Sequence, residues 1–256
     1  MQTNNSAQGI TFADGKGSVS GGKKIILSAD DFGISRIANE NILSLIRLGK
    51  LDRVEVMMSK NITSVHAAEL LASKVKLDIH LHLVKNKLDF WQEHARNIEG
   101  GAMLRGIKFL AKYILGTTSA KNIEKEWQCQ IEDFVKVFGR VPDGASSHEH
   151  IHFFPPYFNR LTRLCKKFQI TYIRFGRKKT VDYSTISKII NWLRERDIKK
   201  FNGMKLDSAD FMISFDWIND PALIANQYGA DATKEVVFHP EKTDEFDVLM
   251  KFNEIS

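Results

Sequence analysis

From Lys23 onward, short apolar runs alternate with stretches whose apolar residues recur every three to four positions. The first kind predicts strands and the second helices. KKIILSA (23–29) is a β-rich run that ends in polar residues. RIANENILSLIRLGK (36–50) follows, with Ile37, Ile42, Leu45 and Leu48 near helical spacing and Gly49 as a stop. RVEVMM (53–58) predicts a strand and SVHAAELLAS a helix. KVKLDIHLHLV (74–84) alternates as a strand should. Ile123, Trp127, Ile131, Phe134 and Phe138 form an apolar helical stripe, closed by Gly139 and Pro142. YFNRLTRLCKKF (157–168) is amphipathic, and ITYIRF (170–175) and EVVFH (235–239) predict strands.

Strand and helix in strict alternation predict a parallel sheet with helical crossovers, an α/β fold. At least six such units fit, which favours a (β/α) barrel, incomplete or distorted, over an open sheet. Residues 85–119 interrupt the rhythm and read as an insertion after the third strand, on the side where barrels carry active-site loops. Residues 1–22, polar and rich in Gly and Ser, read as a disordered leader. The expected organisation is therefore that leader and a single barrel domain over 23–256.

Composition narrows the picture. With 43% apolar residues in 256, a sizeable core is possible. Cys129 and Cys165 predict neither a disulfide framework nor a metal knuckle, and a reducing, cytoplasmic setting is expected. Residues 160–205 hold 14 Lys plus Arg against 3 Asp plus Glu, in a chain whose net charge is only +6. Such asymmetry marks either a solvated helical face or a surface that meets anions. Nucleic acid is not expected as a partner: no recognition motif is present, and aromatics are not interleaved with the basic run.

The chemistry concentrates at predicted strand ends. His148, His150 and His152 alternate in SHEHIH and would share a face if the segment were extended. His80 and His82 repeat the spacing, Asp30 and Asp31 end the first strand, and His239 ends the last. A lone histidine on a strand is more often a hydrogen-bonded structural residue. Several strands delivering imidazoles and carboxylates to one rim suggest a divalent ion held by one carboxylate and two imidazoles, with positions left open. Adjacent aspartates cannot both face one way from a regular strand, so one could hold the ion while the other takes a proton. His66 and His94 are assigned no role.

ADDFG (29–33), DIHLHL (78–83), SSHEHIH (146–152) and FHP (238–240), in this order and spacing, resemble the boxes of the YdjC/ChbG-like carbohydrate deacetylases. The resemblance spans most of residues 23–240. It implies a (β/α) barrel that removes acetyl groups from N-acetylated amino sugars with one divalent ion, Zn or Mg first, Mn or Co also suited. Carried over by position, it makes Asp31, His80 and His148 the metal ligands, Asp30 the base and His239 the acid. His150 and His152 would contact substrate or orient groups. Arg174 would touch the Asp pair or the substrate. A homodimer is compatible with the family. Asp78 and Ser146 depart from the family pattern, which has Gly and Asp there. The first would alter the strand's approach, and the second would remove a carboxylate that orients a histidine. The chain stops soon after DEFDVLMKF, where the resemblance implies a longer terminal helix, so the barrel is expected to close imperfectly.

The basic stretch further suggests a phosphate-bearing or lipid-linked glycan as substrate, with GIKFLAKYIL (106–115) resting peripherally on a membrane. Competing readings are a barrel metal-dependent phosphoesterase and a catalytically weakened anionic-glycan-binding protein.

Overall fold

The computed structural model describes residues 25–82, 120–218, 228 and 231–252. The expected leader and the expected insertion, with its GIKFLAKYIL segment, lie outside these residues. The strands are β1 (Ile25–Phe32), β2 (Arg53–Val56), β3 (Lys76–Leu81), β4 (Gly144–Ser147), β5 (Tyr172–Ile173), β6 (Phe211–Ser214) and β7 (Lys234–Phe238). The helices between them are α1 (Arg36–Arg47), α2 (Ser64–Ala72), α3 (Ala120–Phe138), α4 (Pro155–Phe168) and α5 (Thr185–Asn202), and α6 (Thr243–Lys251) follows β7. All pairings are parallel, in the order β5-β4-β3-β2-β1-β7-β6. The sheet curls into an incomplete (β/α) barrel, as expected. A seam remains between β5 and β6. It is bridged by the chain just before β6: Tyr172 pairs with Asp207, and Arg177 N and Lys178 N donate to the carbonyls of Ala209 and Asp210.

Alternation divides each strand between two environments. Leu27, Ala29, Val54, Val56, Leu77, Ile79 and Leu81 join Ile42 and Leu45 of α1 and Trp127, Ile131 and Phe134 of α3 in one apolar core. All five stripe residues of α3 are buried, as their spacing predicts. The other face is polar. Ser28, Asp30, Arg53, Glu55, Asp78, His80, Ser146, Arg174 and Glu235 are all buried. Arg174, just after β5, touches residues of β1, β2 and β7, so these side chains meet across the barrel interior. Layers of branched apolar residues ordinarily fill a barrel; here the filling is ionic.

Asp78 belongs to the lower part of this filling. Arg53 donates to both its oxygens, at 2.6 and 2.7 Å, and lies 3.8 Å over the Tyr172 ring. Tyr172 Oη in turn donates to Glu235 at 2.6 Å. A Cβ on Gly144 would come within 2.7 Å of Arg53 and 2.8 Å of Asp78, so the smallest residue stands opposite the fork. Around this pair β3 keeps a continuous register with β2 and β4.

Two local expectations are corrected. On α1 the buried residues are Ala38, Asn39, Ile42, Leu43 and Leu45, while Ile37 is 58% and Leu48 53% exposed. A polar residue sits on the inward face: Asn39 accepts from Gly33 N at 2.6 Å and fixes the turn after β1. Second, SHEHIH is not extended. β4 stops at Ser147, and His148–Phe153 form a 3₁₀ turn in which Glu149 (φ 55°) and His150 (φ 54°) are left-handed.

Candidate active site

The two adjacent aspartates face one site because β1 is not regular where they lie. Ala29 pairs with Val54 and Phe32 with Val56, so three steps on β1 match two on β2. This β-bulge absorbs one residue, and Asp31 takes φ 69°, a conformation that Asp tolerates better than most residues. Gly33 follows at φ 105°, where a Cβ would lie 2.2 Å from the Met57 carbonyl. His80 Nε2 consequently sits 3.4 Å from Asp31 and 3.6 Å from Asp30.

His148 arrives from the start of the 3₁₀ turn, and its Nδ1 lies 2.9 Å from Asp31 Oδ1. One ligand atom each from Asp31, His80 and His148 falls within 4.8 Å of the others. One carboxylate and two imidazoles suit a single divalent cation, and these residues fit one. Among the described residues this is the one such group.

Asp30 turns inward. Arg174 Nη1 reaches its carboxylate at 2.7–2.8 Å, and the same guanidinium contacts Glu55 at 3.0 Å, Glu235 at 2.7 Å and Ser28 at 2.9 Å. Of the two contacts expected of Arg174, the one with the Asp pair is seen. Burial would raise the Glu55 pKa, but Arg174, His80 and Ser146 pull it down to about 2. Asp30 goes the other way, because burial outweighs Arg174 and His80 there. Burial would also raise Asp31, yet His148 and His80 hold it well below the usual carboxylate range. His80 is raised to about 10 against its burial, chiefly by the charge of Asp30 and the contacts with Asp31 and Glu55.

His239 follows β7 on the same rim. Its backbone N–H donates to Glu245 at 2.6 Å, and its Nδ1 lies 3.4 Å from the same oxygen. Burial lowers its basicity, but Glu245 and the two aspartates outweigh that and raise it to about 9. The other two histidines of SHEHIH diverge. His150 packs edge-on against Trp217, with 5.3 Å between ring centres, and burial holds its pKa well below the ordinary value. His152 is wholly buried; its Nε2 lies 2.8 Å from the Arg174 carbonyl and its Nδ1 2.7 Å from Ser147 Oγ. It brackets the turn to the backbone of Arg174.

Part of the basic stretch is drawn on internally. Arg160 and Arg163 hold Glu124, Arg177 holds Asp207, Lys178 holds Asp210, and Arg174 is spent inside the barrel. Cys129 and Cys165 are free thiols. Among the described residues no helix is long and apolar enough to cross a membrane.

Sequence reasoning missed Glu55, Glu235 and Glu245. The first two had a signal: a charged residue amid an apolar strand run, on the same parity as the site residues. Glu245 carried none, since acidic residues in a first helical turn are common.

Comparison with known proteins adds to this geometry. The family model described as YdjC-like protein matches residues 24–254. The chain is 26% identical over 220 residues to chitooligosaccharide deacetylases of Salmonella paratyphi B and Salmonella typhi, covering 86% of this chain and 82% of each relative. A crystal structure from Enterococcus faecalis V583, described as a cellobiose-phosphate cleavage protein, superposes with a TM-score of 0.55 at 18% identity. It covers 85% of this chain and 80% of the other, a likeness of fold alone.

Proposed function

The chain belongs to the YdjC-like protein family, and on that footing we propose that it is a metal-dependent carbohydrate deacetylase acting on an N-acetylated amino sugar. The observation that carries this is the convergence of Asp31, His80 and His148 on one point, with Asp30 and His239 beside it. The names of the chitooligosaccharide deacetylase relatives support the substrate class. Those names put a neutral oligosaccharide ahead of a phosphate- or lipid-linked glycan as the first substrate to test.

In this reading Asp31, His80 and His148 hold one divalent ion, Zn or Mg before Mn or Co. When bound, the ion supplies positive charge to the acetamide oxygen and makes a nearby water more acidic. Asp30 takes the proton of the attacking water. Its burial favours the protonated form, and Arg174 fixes where its oxygens lie. His239 gives a proton to the leaving amine. Its Nδ1 faces Glu245, which leaves Nε2 as the donor. His152 orients the turn that carries His148, and His150 with Trp217 forms a neutral wall that excludes water from the sugar side. A phosphoesterase is the runner-up; it calls for more than one ion, and the single group of ligands among the described residues weighs against it.

The test is acetate release from a panel of N-acetylated oligosaccharides, with and without chelation. Release that stops on chelation and returns with a stoichiometric ion is expected. Release that survives complete metal removal would end the proposal, as would phosphate release with no acetate.

The rate should also report the His239–Glu245 pair. With its pKa raised to about 9, His239 keeps its proton at neutral pH and loses it as pH rises through that value. Glu245→Gln removes the opposing charge, so the alkaline limb of the pH–rate profile should move down by about one unit or more. An unmoved limb would remove His239 from the acid role.

A further inference from the structure

Ser146 stands where the family resemblance puts an aspartate, which predicts a histidine without a carboxylate behind it. The structure holds a substitute. Ser146 is fully buried and is the register neighbour of His80 across β3 and β4. Its hydroxyl donates to Glu55 Oε2 at 2.5 Å, and His80 Nδ1 lies 2.7 Å from the same hydroxyl oxygen. The direct path from Glu55 to His80 Nδ1 is 3.6 Å, too long for a hydrogen bond.

We propose that Glu55 and Ser146 form a two-residue relay that positions His80 for the divalent ion, the negative charge having moved from β4 to β2, on the other side of β3. Proton bookkeeping supports the direction. A serine hydroxyl carries one hydrogen. Glu55, with its other oxygen 3.0 Å from Arg174, is an acceptor, so that hydrogen goes to Glu55. Ser146 Oγ must then accept, and the hydrogen between it and the imidazole belongs to His80 Nδ1. Nε2, the nitrogen turned toward Asp30 and Asp31, is the one that gives up its proton to bind the ion. A second carboxylate behind a ligating imidazole commonly serves this end, fixing tautomer and ring plane. The move between strands also spares the interior a further charge. Asp30, Glu55 and Glu235 already share Arg174, and an aspartate at position 146 would add a fourth acid beside them. Glu55 and Ser146 are positioning residues, acting through His80.

The inference rests on the reading of His80 as an ion ligand, and the test separates the two. Metal-stripped full-length protein is titrated with Zn²⁺ by competition calorimetry, as wild type, Ser146→Ala, Glu55→Gln and the double variant Glu55→Gln/Ser146→Asp. Each single variant should bind Zn²⁺ about 10- to 100-fold more weakly. The double variant restores a carboxylate behind Nδ1 and should recover most of that loss, which a merely structural role for Glu55 would not give. Nitrogen-15 NMR of the Zn²⁺-loaded wild type should show a slowly exchanging His80 Nδ1–H, lost in Ser146→Ala. That variant removes no charge, so it carries the test even if Glu55→Gln does not fold. Ser146→Ala with wild-type affinity and an unchanged Nδ1–H overturns the relay and leaves the deacetylase reading standing. Wild-type protein that binds none of Zn²⁺, Mg²⁺, Mn²⁺ and Co²⁺ overturns both.

Discussion

His148→Ala is expected to abolish acetate release, by on the order of 10³-fold or more, and to remove most of the affinity for a divalent ion. The magnitude follows from what the ion contributes to transition-state charge, several kcal/mol, at about tenfold in rate per 1.4 kcal/mol. His148 suits the experiment better than His80. Its side chain is 17% exposed against 2% for His80, and it stands on the 3₁₀ turn at the rim while His80 is built into the charged interior. The variant should therefore keep its fold, which circular dichroism and thermal unfolding would check. Asp31→Asn is the companion, keeping shape while removing the ligand charge. An active, metal-free His148→Ala protein would remove the mechanism altogether.

Arg174→Met carries the largest expected effect on stability. It leaves Asp30, Glu55 and Glu235 buried without the guanidinium that now contacts all three. Removing one partner of a buried ion pair costs about 3–5 kcal/mol, and three carboxylates at once put this variant at the upper end. Against a total stability of roughly 5–15 kcal/mol, the protein should unfold or survive marginally. Arg174→Lys should rescue only in part, because an ammonium cannot fork between three acids.

The pH dependence tells the two states apart. In the wild type the Glu55 pKa is depressed, to about 2, below its ordinary 4.5. It contributes stability above pH 4.5 that is lost as pH falls toward 2. In Arg174→Met only His80 and Ser146 still oppose the burial of Glu55, so its pKa rises and the stability it contributes at neutral pH shrinks. Urea denaturation from pH 2 to pH 8 would show the slopes. A variant as stable as wild type at neutral pH would mean that the cluster does not depend on Arg174.

The sequence made the βα rhythm legible because most strands and helices carry clean apolar periodicity. The stripe from Ile123 to Phe138 is the clearest case. Where an element lacks that signal, periodicity does not mark its span. β4 is GASS, with no apolar run, because its inward positions face Arg53 and His80 and must be small. α5 escaped because Ser187, Asn191 and Arg194 occupy buried positions, and Asn191 is spent holding Thr180. The site itself was largely readable: Asp30, Asp31, His80, His148 and His239 come from four strand ends on one rim. What could not be read was the fate of SHEHIH. Alternation in a sequence implies a shared face only in extended backbone, and two left-handed residues send His150 and His152 elsewhere.

The bulge at the end of β1 has a wider consequence. Inserting one residue into a strand normally reverses the parity of all that follows and would turn Phe32 out of the apolar layer. Here the bend at Asp31 consumes the surplus residue, and Phe32 still pairs with Val56 on the side it would have occupied without it. The second carboxylate is thus a graft: the scaffold gains a functional group at its rim while its packing code stays in phase.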